Sequence, residues 1–133
     1  GPLPAVVVVV NFGAAHAVDG ACDGTLLALA RSVVAELAAG LAGVRVRFVF
    51  ASLTCALGLR RANFRTGKSL ETLSIARRLA RELPDNATGE ALDLTNVTAA
   101  RYDATLDGLH YYGTATSMQA LILANMLAPR PRS

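Results

Sequence analysis

Ala5 is followed by five consecutive valines, Val6 to Val10, and the run closes in Asn11-Phe12-Gly13. An unbroken β-branched run without alternation describes a strand buried on both faces, as in a parallel sheet, and predicts a central strand. From Thr25 to Leu41, Leu26, Ala30, Val33, Leu37 and Leu41 recur at three- and four-residue steps, with Ser32 and Glu36 on the other side. That spacing predicts an amphipathic helix, ended by Gly40 and Gly43. Val44 to Ala51 alternates at first, with Arg45 and Arg47 on one face, and then becomes fully apolar, which predicts a second strand. Ser52 to Gly67 is a loop of small and basic residues. Thr66 or Ser69 can cap a helix over 69–83 that turns Leu73, Ala76, Leu79, Ala80 and Leu83 inward and stops at Pro84. A short third strand, Ala91 to Leu94, follows the turn-forming stretch Asp85 to Gly89. After a connector with little period, a last helix is expected over 117–127, with Thr116 and Gln119 in capping-box spacing.

The alternation of strand and helix predicts one α/β domain over 3–129, a parallel sheet with helices on both faces. Gly1-Pro2 reads as a cloning remnant and is set aside. Composition sharpens this by exclusion. With 53% apolar residues the chain can build a core, and two cysteines with eleven unperiodic glycines fit neither a disulfide-stapled miniprotein nor collagen. Arg31, Glu36 and Arg45 interrupt the apolar stretches before they reach membrane-spanning length. The net charge of +3 adds little: the arginines cluster without interleaved aromatics, which argues against nucleic acid and for solvated faces.

In parallel α/β sheets ligands sit beyond the carboxyl ends of the strands, so 11–24, 52–67 and 95–110 are the segments expected to line a site. The chain's two histidines fall in them. Asp107-Gly108-Leu109-His110-Tyr111 sets a carboxylate three residues before an imidazole. A turn at Gly108 can bring Asp107 to His110 Nδ1, fixing the tautomer and leaving Nε2 as a general base. The plain structural alternative is a surface histidine capping the last helix.

The segment Asp107 to Tyr111, followed by Gln119-Ala-Leu-Ile-Leu-Ala-Asn125, resembles the carboxyl-terminal block of the SGNH (GDSL-like) hydrolases. It is most similar to their PC-esterase branch, which acts on acyl esters of glycans. The valine strand ending in Asn11-Phe12-Gly13, with His16 soon after, resembles that superfamily's central strand and the loop beside its oxyanion site. The resemblance implies a three-layer α/β/α fold of SGNH or flavodoxin-like type, with His110 as general base and Asp107 orienting it. It also implies Gly13 as a backbone oxyanion donor, with Asn11 or His16 as the side-chain donor.

The family's nucleophile, a serine in a Gly-Asp-Ser turn, has no counterpart in these residues. Ser52 follows a strand without the glycine-flanked sharp turn of a nucleophile elbow. A base and its carboxylate cannot complete acyl transfer alone. In the 2-1-3-4-5 sheet order the strands here match the last three, which sets the valine strand on an edge. The expectation is therefore the carboxyl-terminal part of a five-stranded esterase sheet, completed by an upstream segment or second chain that carries the serine. A compact 2-1-3 order with the valines central is the competing topology.

The expected activity is hydrolysis or transfer of O-acyl groups, O-acetyl on a glycan or a related small ester, with no cofactor. The alternative is a non-catalytic binding or interaction domain on the same fold; a flavodoxin-like binding domain is the third class. Cys22 and Cys55 follow strand ends and can form a disulfide or remain buried thiols. Asn86-Ala-Thr88 and Asn96-Val-Thr98 are glycosylation sequons, which with the cysteines suggests a secretory-lumen or extracellular setting. His16, Asp19, Cys22 and Asp23 match no standard zinc spacing, and Gly13, Gly20 and Gly24 form no phosphate-binding loop.

Overall fold

A computed structural model describes residues 6–11, 24–53, 66–99, 101 and 113–128. Among them are three strands, β1 (Val6–Asn11), β2 (Val46–Ala51) and β3 (Ala87–Leu92). Four helices accompany them: α1 (Gly24–Gly40), α2 (Thr66–Arg81), α3 (Leu94–Ala99) and α4 (Thr114–Leu127). The strands form a parallel sheet in the order β1-β2-β3, so the fold is α/β.

Alternation along β2 divides the core in two. Val46, Phe48 and Phe50 gather with Ala30 and Val34 of α1 and Ala76 and Leu79 of α2, the two phenylalanine rings stacked at 5.6 Å between centroids. Their neighbours on the opposite face, Val49 and Ala51, join Leu92 against Ile122, Leu123 and Met126 of α4. Burying such apolar side chains contributes about 1.5–3 kcal/mol each, which makes β2 the centre of the fold.

The valine strand is not central in this sheet. It lies at an edge, with Val7 42% and Val9 46% exposed, and its burial alternates along its length. The middle place is taken by β2, whose phenylalanines fill the helix-covered face more fully than valines can. The compact order with the valines central is thereby excluded for the described sheet.

β3 starts four residues earlier than its apolar content suggests, because Gly89 belongs to the strand and not to a turn. A Cβ there would crowd Leu83 Cδ1, stand 3.2 Å from the Ala80 Cα and 3.3 Å from the Phe50 ring. Glycine thus lets α2 lie close on the sheet. The start of α4 also differs: its N-cap is Gly113, at φ 60°, with no side-chain cap bond, so Thr116 and Gln119 lie inside the helix. The connector after β3 contains α3, opened by Asp93, whose Oδ1 accepts the Asn96 N–H at 2.8 Å. Among the described residues no helix is long and apolar enough to cross a membrane.

Candidate functional site

Parallel pairing brings all three strand ends to one edge, where Asn11, Ala51 and Leu92 stand in a single row of the register. The chain turns off the sheet there, and its polar groups are knotted together. Asn11 Nδ2 donates to the carbonyls of Ala51 and Ser52, both at 3.3 Å, tying the end of β1 to that of β2. Placed so, the amide spends its N–H groups on the backbone. Ser52 N–H continues the ladder to Leu92 O at 3.0 Å.

The Ser52 side chain is fully buried. Its Oγ accepts the backbone N–H of Leu94 at 3.0 Å and of Thr95 at 3.2 Å, two of the orphan donors at the start of α3, and lies 3.1 Å from Thr95 Oγ1. Thr95 Oγ1 in turn donates to Leu53 O at 2.7 Å and reaches Ser69 O at 3.2 Å. Leu53 N–H donates to Thr72 Oγ1 at 3.0 Å, and that hydroxyl donates to Ser69 O at 2.7 Å. Buried hydroxyls therefore join the end of β2 to α2 and α3 directly beneath the row of strand ends. Every fully buried side-chain polar atom among the described residues has a partner, as burial demands. Ser52 is a keystone of this knot, its hydroxyl fully buried and engaged by the start of α3.

Asn11 is thus the described member of the expected catalytic set. His110, Asp107, Gly13 and His16 lie outside the described residues, as do Cys22 and Cys55. Of the sequon asparagines, Asn96 is exposed on α3 with its Nδ2 2.6 Å from Asp93 Oδ2. Asn86 is half-buried at the opposite end of the sheet, its Nδ2 donating to Val44 O at 3.2 Å. Sequence reasoning missed the buried roles of Thr72, which in a helical pattern reads as a solvent-facing position, and of Thr95, which fell in the connector after the third strand. The cap spacing Asp93-Leu-Thr-Asn96 was the available signal for α3.

Two concavities lie away from the strand ends. A groove of about 690 Å³ runs between α1 and α2, floored by Val34, Ala38, Leu79 and Leu83. At its rim Glu82 accepts Arg31 Nε and Nη2 at 2.8 and 2.7 Å and Arg78 Nε at 3.0 Å. The Arg31 bonds, then the Arg78 bond, hold the Glu82 carboxyl down to about 2. The second, about 300 Å³, lies between α4 and the Arg47–Glu90 ion pair, with Arg47 Nε 2.9 Å from Glu90 Oε1. No cluster of three or more metal-ligating side chains occurs among the described residues. No protein-family model, curated protein or solved structure matches the chain.

Proposed function

We propose that this chain is part of an acyl-ester hydrolase or O-acyltransferase of SGNH-like, three-layer α/β/α architecture, acting on O-acetyl groups of a glycan or a related small ester. The observation that carries the reading is the edge row Asn11–Ala51–Leu92: three parallel strands deliver their carboxyl ends to one line. His16 follows that row by five residues, and His110 stands three residues before the Gly113 cap of α4. The sequential order β1-β2-β3, with β1 at the edge, is the order expected of the last three strands of a 2-1-3-4-5 sheet. Helices α1 and α2 against Phe48 and Phe50, and α4 against Val49, support the three layers.

In this reading a serine supplied by an upstream segment or second chain attacks the acyl carbon while His110 Nε2 takes its proton. Asp107 holds the imidazole and stabilises its cation. The Gly13 N–H, with His16 or Asn11, faces the oxyanion. His110 then returns the proton to the leaving alkoxide, and water or an acceptor hydroxyl repeats the sequence on the acyl-serine. Asn11 can join only by releasing a β2 carbonyl. A disulfide between Cys22 and Cys55, glycans at Asn86 and Asn96, and a secretory-lumen or extracellular setting belong to the same proposal.

A second reading is a binding or interaction domain on the same fold that lacks a nucleophile altogether. A serine-directed fluorophosphonate probe on the native protein separates the two. Labelling supports the esterase; absence of labelling supports the binding domain.

A further inference from the structure

No further inference is drawn: the strongest candidate, the apolar groove of about 690 Å³ between α1 and α2, has its rim carboxylate Glu82 already held by Arg31 and Arg78, and nothing in the structure shows what covers it.

Discussion

Ser52 Oγ and Thr95 Oγ1 lie 3.1 Å apart, both fully enclosed, and between them they fasten the end of the central strand to the first turn of α3. Ser52 accepts two backbone N–H groups and Thr95 donates to Leu53 O, so neither hydroxyl can leave without orphaning a buried partner. The knot lies under the strand ends, where the fold sets its candidate site.

Replacement of either residue should therefore appear as lost stability. Ser52→Ala and Thr95→Val are each expected to lower unfolding free energy by about 1–3 kcal/mol, read from urea denaturation. The double variant should lose less than the sum, because the two share a hydrogen bond. If Ser52→Ala unfolds at the wild-type midpoint but abolishes ester hydrolysis, Ser52 is a nucleophile and the structural role is wrong.

Two glycines should behave in opposite ways. Gly89→Ala places a methyl against the Ala80 backbone and is expected to destabilise by about 1–3 kcal/mol. At Gly40, in the last turn of α1, a Cβ meets nothing within 4 Å, so Gly40→Ala should be neutral or stabilise by up to about 1 kcal/mol. Thermal melts of the two variants measure the contrast.

Much of this was legible in the sequence and some was not. The helix periods near Leu26 and Leu73 and the apolar run near Phe48 marked their elements, because each buries one stripe or both faces. The place of the valine strand was not legible: a β-branched run reports what a strand can bury, and its neighbours decide what it does bury. Gly89 read as a turn because its reason, the approach of Ala80, is tertiary. The candidate site was visible only as types and spacing, with His110 and Asp107 in sequence and Asn11 at a strand end. The hydroxyl knot depends on contacts between segments more than 40 residues apart, such as Ser52 with Thr95, which no local pattern records.

The Arg31–Glu82–Arg78 cluster predicts an acid response with a definite sign. Glu82 has an ordinary value of 4.5 and about 2 when folded, so the native state resists its protonation. Its contribution is present above about pH 4.5 and is lost as pH falls toward 2. Glu82→Gln should flatten the fall in stability across that window. Salt should diminish the wild-type effect, since the pair is exposed. Equal acid slopes in wild type and variant would contradict the assignment.

The most direct test is the rate of p-nitrophenyl acetate hydrolysis by the native protein and its His110→Ala variant, with the melting temperature of each. The account predicts a fall of about 10²–10⁴-fold, the share general-base catalysis supplies, at an unchanged melting temperature. Equal turnover by the two proteins would contradict it.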